Sequence, residues 1–401
     1  MLTATKDLLL PTTVTGSWPR PTWYTRSLHG GAFSEGMADT HFREQFADAV
    51  STVLTDQEQA GLDILTNGDY HLDDDLAGRS WFLYPTERLS GMSEHAIETT
   101  NPMWSYPPGT WLNEIVGGWK YPLVVDKVGP RVPFEFAKIW RVSQAKTDRP
   151  VKFGTVSADL ASAVLNLGTD VYDDDKRDLM WDIATLINAE LRDLASAGCQ
   201  VIQIEEPAIH STAAYTQDKD VLDFLVDLFN HQVEGLDGVE VWVHTCWGNP
   251  GAQHCFDPNI SYENSIDIYL NRLNADVWTI ESKDSGHRPL ELFRPYKDSL
   301  PKKVAVGFIS HRTLQVETPE QIAADVRRAL EYIDAEHLVL SSDCGFGRQG
   351  VPRPIAFYKA AALAQGANIV RRELGAPERE VRAADPTLQV DVPAASMVAS
   401  G

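Results

Sequence analysis

Apolar residues fall into eight short runs along this chain, and most runs are followed by a segment with the helical period of about 3.6 residues. Several runs are almost continuously apolar, which is typical of parallel strands buried on both faces. The predicted strands are Thr12–Ser17, Asp63–Asp69, Val151–Ser157, Val201–Glu206, Val239–Cys246, Asp276–Glu281, Val304–Ser310 and Leu338–Cys344. The predicted helices between them include His41–Ala60, Lys176–Ala197, Asp220–Val233, Pro319–Ile333 and Ile355–Arg372.

This alternation predicts an α/β fold, specifically a (β/α)8 TIM barrel formed as a single domain by residues 1–401. A doubly wound sheet would have fewer strands and usually a glycine-rich phosphate turn, which the sequence lacks. Asp175 suits the N-cap of the second predicted helix, and Gly198 suits its C-terminal stop. Residues 384–401 are small and polar without periodicity, and we expect them to form a tail.

Residues 70–150 interrupt the alternation and are rich in Trp, Tyr and Pro. We interpret them as a long aromatic-rich insertion between the second and third strands, with helical parts near its end. Long loops are usually functional or disordered, and the aromatic content favours an ordered one. The insertion would cover the barrel mouth, form the interface of a homo-oligomer, or be a decorated loop with a small core of its own.

The composition is that of a globular protein, with 43% hydrophobic and 23% charged residues. A formal net charge of −22 disfavours nucleic acid and anionic membrane surfaces as partners. No apolar run of about 18 residues occurs, so we expect no membrane-spanning helix. The first ten residues lack a signal-peptide core, and we therefore expect a cytoplasmic protein.

The four cysteines are too few and too irregularly spaced for a disulfide framework, which indicates a reducing compartment. Cys199 precedes the fourth strand, at the end of the barrel opposite the expected site, and we interpret it as structural. Cys255 follows the fifth strand in a loop and is left outside the functional set.

Catalytic side chains of a barrel enzyme lie at the carboxyl ends of the strands. The ends of the fifth, sixth and eighth strands carry His244, Cys246, Glu281 and Cys344. His244 and Cys246 are two residues apart on one strand, so their side chains point to the same side. Imidazole and thiolate are ligands that zinc prefers, and these four residues therefore predict a Zn2+ site.

This ligand set favours activation of a thiol. Two cysteine thiolates balance the charge of Zn2+, so a third thiolate, from a substrate, keeps much of its nucleophilicity when it binds. Hydrolases typically use three His, or two His and a Glu, which leave the zinc more positive and acidify water. Glu281 would be the fourth ligand at rest and yield its place to the substrate sulfur. The residues therefore predict a zinc-dependent thiol alkyltransferase.

The motifs at the strand ends resemble the cobalamin-independent methionine synthase family, specifically its C-terminal catalytic barrel. The motifs are TTVTGSWPRP, LTNGDY, IQIEEPAI, VHTCWGN, ADVWTIES and LVLSSDCGFGRQG, within residues 10–374. Each of the four proposed ligands falls on a zinc-ligand position of that family. The resemblance implies a methyltransferase that converts homocysteine to methionine, with a 5-methyltetrahydrofolate or methyl-corrinoid donor.

The resemblance also implies substrate positions. Ser17, in the GSWP turn, corresponds to the residue that holds the amino-acid carboxylate. Asp69 and Glu205 correspond to the acidic residues that bind the homocysteine ammonium, although the family usually has Glu at the first position and Asp at the second. His311 lies near the proton-donating His of the family, one residue out of register, and would act as a general acid. Of the adjacent Glu205 and Glu206, we expect Glu205 to face inward.

The chain has no room for the N-terminal barrel of the full-length synthase and resembles single-barrel relatives, which include cobalamin-linked methionine synthases and epoxyalkane:coenzyme M transferases. The alternative function is therefore zinc-dependent alkylation of another thiol, such as epoxide opening by coenzyme M. A sulfonate thiol would need nearby cations, for which the candidates are Arg79, Lys283, Arg312 and Arg348. A structural zinc site conflicts with a displaceable Glu281, and a metal-free decarboxylase leaves the cysteines unexplained.

Overall fold

The computed structural model describes residues 2–74, 79–98, 120–246, 261–347, 350–385 and 387. Seven parallel strands form its main sheet, and almost all of their residues are buried, as the apolar runs predict. They are β1 (Leu65–Thr66), β4 (Val151–Val156), β6 (Val201–Glu205), β7 (Glu240–Thr245), β8 (Val277–Ile280), β9 (Lys303–Ile309) and β10 (Leu338–Ser342). Their spatial order, β1-β4-β6-β7-β8-β9-β10, follows the sequence without a crossover.

The first predicted strand, Thr12–Ser17, forms only a single parallel bridge, between Thr12 and Leu340 of β10. Leu340 N donates to Pro11 O at 2.8 Å, and Asp63 N donates to Thr12 O at 3.0 Å. The segment is not a regular strand because side chains take some of its backbone donors; Thr12 N donates to the Asp63 carboxylate at 2.9 Å. It nevertheless contacts both outer edges, so the parallel sheet is curled.

Helices cover the sheet, and the five helices whose bounds were predicted agree with the structure to within about four residues. They are α1 (Phe33–Ala38), α2 (Thr40–Gln59), α3 (Ser80–Thr86), α4 (Phe136–Gln144), α5 (Ala158–Ala163), α6 (Arg177–Ser196), α7 (Ala208–Tyr215), α8 (Lys219–Gln232), α9 (Pro319–Ala329) and α10 (Arg353–Glu373). Gly198, with φ of 99°, follows the end of α6 as predicted. The predicted N-cap Asp175 is wrong by one residue, since Lys176 holds that position and Asp175 accepts Arg177 N–H at 3.1 Å.

A second, smaller sheet lies mainly within the segment between β1 and β4. Strands β2 (Leu89–Glu98) and β3 (Lys120–Pro130) pair antiparallel, and β3 pairs in parallel with β5 (Asn166–Leu167). The hydrophobic pattern did not predict this sheet, because register shifts after Ser90 and Met92 disrupt the alternation that marks a half-buried strand. Residues 75–78 and 99–119 lie outside the described residues, so the extent of the aromatic-rich insertion stays a prediction.

Apolar side chains fill both faces of the parallel sheet. The larger cluster joins the strands to the helices around them. A separate cluster lies toward the amino ends of the strands and consists of Ala4, Ile64, Val201, Trp242, Val277, Ala305 and Val339. Buried polar side chains occur at both ends of the strands, with Glu240 and Lys303 at the amino ends of β7 and β9. Within the described ranges, none of the helices is long and apolar enough to cross a membrane.

Asp63 ties the first segment to the C-terminal part of the chain. Its carboxylate accepts from Thr12 Oγ1 at 2.9 Å, from Arg371 at 2.6 Å and from Arg379 at 2.7 Å. Burial raises the pKa of Asp63, but the two guanidinium groups outweigh burial and hold this pKa below its ordinary value. This carboxylate therefore stabilises the folded state in its charged form.

We expect Asp63→Asn to lower the free energy of unfolding by about 3 kcal/mol, because the buried Arg371 loses its charged partner. The contribution of Asp63 is fully present above the ordinary aspartate pKa of about 3.9. It is lost as the pH falls through the lower folded-state pKa, so the difference between variant and parent should shrink there. Urea unfolding at pH 7 and below pH 3.9 gives the free energy of unfolding of variant and parent. The control is Asp237→Asn, at an exposed position. Equal stability of both variants at pH 7 would show that this ion pair does not stabilise the fold.

Candidate metal centre and substrate pocket

Parallel pairing places the polar residues of neighbouring strands at the same rim of the sheet. Glu205 of β6 pairs in register with His244 of β7, and Thr245 pairs with Ile280 of β8. Continuing that register brings Glu281 to the level of Cys246. The fold therefore collects the predicted site residues at one rim, as expected for a curled parallel sheet.

Three of the four predicted metal ligands come together. Potential ligand atoms of His244, Cys246 and Cys344 lie within 4.8 Å of one another. His244 and Cys344 are buried, and Cys246 is partly buried. The neighbouring Cys344 thiol and burial raise the pKa of Cys246, because a thiolate here would be an additional buried negative charge. A bound cation would remove that obstacle, so the donor set and its electrostatics both fit a thiophilic metal such as zinc.

A chain of buried polar side chains orients His244. Its Nδ1 contacts the Glu205 carboxylate, and Glu205 Oε1 accepts from Gln203 Nε2 at 2.7 Å. Lys152 Nζ donates to Gln203 Oε1 at 2.7 Å. Burial lowers the pKa of His244, but the Glu205 charge outweighs burial and raises it. Because Nδ1 is held by a carboxylate, Nε2 is the nitrogen left for a metal, an arrangement common around protein-bound zinc.

Lys152 and Gln203 are site residues that sequence reasoning missed. Both lie within strands whose sequences predict only burial. A lysine within such an apolar run does, however, indicate a buried charge. Burial lowers the pKa of Lys152 to about 7, against the opposing charges of Glu205 and Asp69. Lys152 therefore places a partly ionised ammonium group close to two carboxylates that the sequence assigns to substrate binding.

Glu281, the fourth predicted ligand, lies in an adjacent group in this structure. Ligand atoms of Glu281, Asp284, His311 and Asp343 lie within 4.8 Å of one another, and Glu281 pairs with Arg312. The two groups adjoin, since the backbone oxygen of Asp343 lies 3.4 Å from Nε2 of His244 in the first group.

Asp343 holds the loop that follows β8, a role the sequence did not reveal. Its carboxylate accepts backbone N–H groups of Ser282, Lys283 and Asp284, each at 2.8 Å. Gly307 of β9 is required beside it, because a Cβ at this position would collide with the Asp343 carboxylate. Burial and the nearby acidic groups raise the pKa of Asp343 well above its ordinary value. This loop fixes the place of Asp284 beside His311.

Ser17 and Asp69 line one cleft, together with Trp18 and Trp81. Both Ser17 and Asp69 are buried, and Asp69 has a φ of 57°, in the left-handed region. Gly345, which follows Cys344, approaches Ser17 so closely that a Cβ would lie 2.7 Å from Ser17 N. The structure therefore joins the cleft to the metal group through the turn after β10.

Other candidates from the sequence lie elsewhere. Buried Cys199 donates to Val201 O at 3.3 Å at the start of β6, and burial raises its pKa to about 12. Arg79 lines a separate pocket. Lys283 pairs with Asp325 at 2.6 Å. The cation candidate Arg348 lies outside the described residues, as does Cys255.

Comparison with known proteins agrees with this arrangement. The sequence model of a protein family, described as the catalytic domain of cobalamin-independent synthase, matches residues 10–365. The chain belongs to the cobalamin-independent methionine synthase family. It is accordingly an enzyme, a methyltransferase of that type, and the predicted resemblance is confirmed.

Individual members of the family support the assignment over nearly the whole chain. A methionine synthase of Sulfurisphaera tokodaii is 30% identical over 369 residues, 91% of this chain and 94% of that protein. One from Saccharolobus islandicus (strain Y.G.57.14 / Yellowstone #1) is 31% identical over 371 residues, 91% of this chain and 96% of its own. The solved B12-independent methionine synthase of Shewanella sp. W3-18-1, in complex with selenomethionine, superposes with a TM-score of 0.71 at 25% identity. That superposition covers 92% of this chain and 99% of the Shewanella chain.

We expect Glu205→Gln to weaken zinc binding by about 10–100-fold, because the amide removes the charged partner that orients His244. Competition with a chelating dye measures the dissociation constant. The exposed Glu234→Gln makes the same chemical change away from the rim and should leave affinity unchanged. Equal affinity of Glu205→Gln and the parent protein would contradict a positioning role for Glu205.

Proposed function

We propose that this protein transfers a methyl group to the thiol of homocysteine, giving methionine, in a reaction that depends on Zn2+. The observation that carries the proposal is the convergence of His244, Cys246 and Cys344 from β7 and β10, two strands that are not neighbours in the sheet. Membership of the family, and the names of the relatives, support methyl transfer to homocysteine. The chemistry of the donor set supports zinc.

His244 would contribute Nε2, and Cys246 and Cys344 their sulfur atoms. Glu281 would be the fourth ligand at rest, after turning from Arg312 toward the adjacent group. Bound there, Zn2+ would keep a substrate thiol in its nucleophilic thiolate form near neutral pH. Because two thiolates cancel the charge of the ion, this set favours alkylation of sulfur over hydrolysis.

The protein would recognise homocysteine through its amino-acid end. Asp69 and Glu205 supply negative charge for the ammonium group. Ser17, beside Asp69 in the same cleft, suits the substrate carboxylate.

A sulfonate thiol such as coenzyme M fits less well. Its binding would need free cations near the strand ends, and two of the four candidates are already paired with carboxylates. Lys283 pairs with Asp325, and Arg312 pairs with Glu281. These ion pairs favour homocysteine over the alternative substrate.

His311 would act as the general acid. It is fully buried, and its Nδ1 lies 3.8 Å from Oδ2 of Asp284. His311 would give its proton to the leaving donor as the methyl carbon moves to sulfur. The donor would be 5-methyltetrahydrofolate or a methyl-corrinoid.

We also propose that residues 1–401 form one (β/α)8 barrel domain in which the segment at Thr12 takes the place of the first strand. Its hydrogen bonds to both edges of the seven-stranded sheet support this. Residues 70–150 would be the aromatic-rich insertion and residues 384–401 the tail.

The proposal predicts one zinc per chain and a change in its neighbours when homocysteine binds. Zinc K-edge X-ray absorption should show two sulfur neighbours, from Cys246 and Cys344, rising to three with homocysteine. Two sulfurs in both states would keep the zinc site and reject homocysteine as its thiol, and coenzyme M would then be tried. A purified protein without zinc affinity would overturn the proposal.

Removing one sulfur ligand should abolish activity without unfolding the protein. We expect Cys246→Ala to reduce methyl transfer to homocysteine by at least about 1000-fold, because the thiolate that holds and tunes the metal is lost. Methionine formation, measured with each donor in turn, reports the loss. Cys199→Ala is the matched control and should retain activity, because Cys199 lies at the amino end of β6, away from the rim. Full activity of Cys246→Ala would rule out this metal site as the catalytic centre.

A further inference from the structure

Arg312 is the charged partner of Glu281 in this structure. Its Nη2 contacts Glu281 Oε1, and its Nε lies 3.8 Å from Asp284 Oδ2. The Glu281 side chain is 1% exposed and that of Arg312 is 11% exposed, so both charges lie away from bulk water. A buried carboxylate without such a partner is strongly destabilised, and the guanidinium therefore stabilises Glu281 in this position.

The same carboxylate lies beside the three-residue metal group. The strand register brings Glu281 level with Cys246. Glu281 thus has two alternative sets of partners on adjoining sides, namely Arg312 on one side and the metal group on the other.

We propose that Arg312 is a positioning residue that receives the Glu281 carboxylate when a substrate thiol takes its place at the metal group. The inference rests on the proposed function, in which Glu281 is the displaceable ligand. With a metal held by His244, Cys246 and Cys344, the guanidinium would hold the Glu281 carboxylate, the substrate sulfur would take the position of that carboxylate, and the thiol proton would leave to solvent. Arg312 therefore sets how easily a thiol displaces Glu281.

The inference predicts opposite changes in two affinities. Without the guanidinium, the Glu281 carboxylate has no cationic partner away from the metal, so it would stay bound to the metal more firmly. We expect Arg312→Gln to bind zinc about tenfold more tightly and homocysteine about tenfold more weakly than the parent. A merely structural role would weaken both affinities, so the opposite signs are diagnostic.

Chelator competition on the metal-free protein gives the zinc affinity, and calorimetry on the zinc-loaded protein gives the homocysteine affinity. Arg327→Gln on α9, which removes an exposed pair with Glu373 of α10, is the matched control and should change neither affinity. Arg312→Lys keeps the charge and should restore most of the homocysteine affinity. Circular dichroism of each variant checks that the protein is folded.

A double-mutant cycle tests whether Arg312 acts through Glu281. In a Glu281→Gln background the side chain is neutral, so adding Arg312→Gln should have little further effect on either affinity. An unchanged or uniformly weakened Arg312→Gln protein would overturn the inference. So would an equal effect of Arg312→Gln in both backgrounds. If the parent protein itself binds neither zinc nor homocysteine, the proposed function fails instead, and the two failures are therefore distinguishable.

Discussion

The hydrogen bonds of the segment around Thr12 hold the two outer strands of the parallel sheet together. Pro11 accepts from Leu340 of β10, and Thr12 accepts from Asp63, just before β1. Asp63 in turn pairs with Arg371 of the last helix. With both edges joined, the carboxyl ends of strands that are distant in sequence meet at one rim. Every functional inference about this protein depends on that convergence, since no short stretch of the chain contains the whole site.

Acidic side chains are concentrated at this rim, and a buried negative charge is destabilised unless a cation pairs with it. Glu205, Glu281 and Asp343 are buried there beside two thiols, whereas Lys152 and Arg312 are the cations that contact or face them. Burial favours the neutral form of each acidic group, and pairing favours the charged form. A bound metal cation would shift this balance by letting the thiols ionise. The electrostatics and the donor atoms therefore indicate the same chemistry, a cation-dependent reaction of sulfur.

Sequence reasoning was most successful where a pattern depends on local burial. The continuously apolar runs predicted the seven strands because residues buried on both faces must be apolar. It failed for β2 and β3, whose register shifts disrupt the alternation, and for Thr12–Ser17, where side chains replace part of the backbone pairing. Lys152 stands out in the sequence as a lysine within an apolar run, but its role was missed because the nearby carboxylates, Asp69 and Glu205, lie in other parts of the chain.

The sequence by itself determined the family and the α/β class of fold, and it predicted the candidate donor atoms. These follow from residue type and spacing, which are properties of the chain alone. Only the tertiary structure decided which residues share a contact. It brought His244, Cys246 and Cys344 together, placed Glu205 against the imidazole, and paired Glu281 with Arg312 rather than with the sulfurs. The physical reason is that charge and coordination depend on distances of a few ångströms between groups that lie up to about a hundred residues apart along the chain.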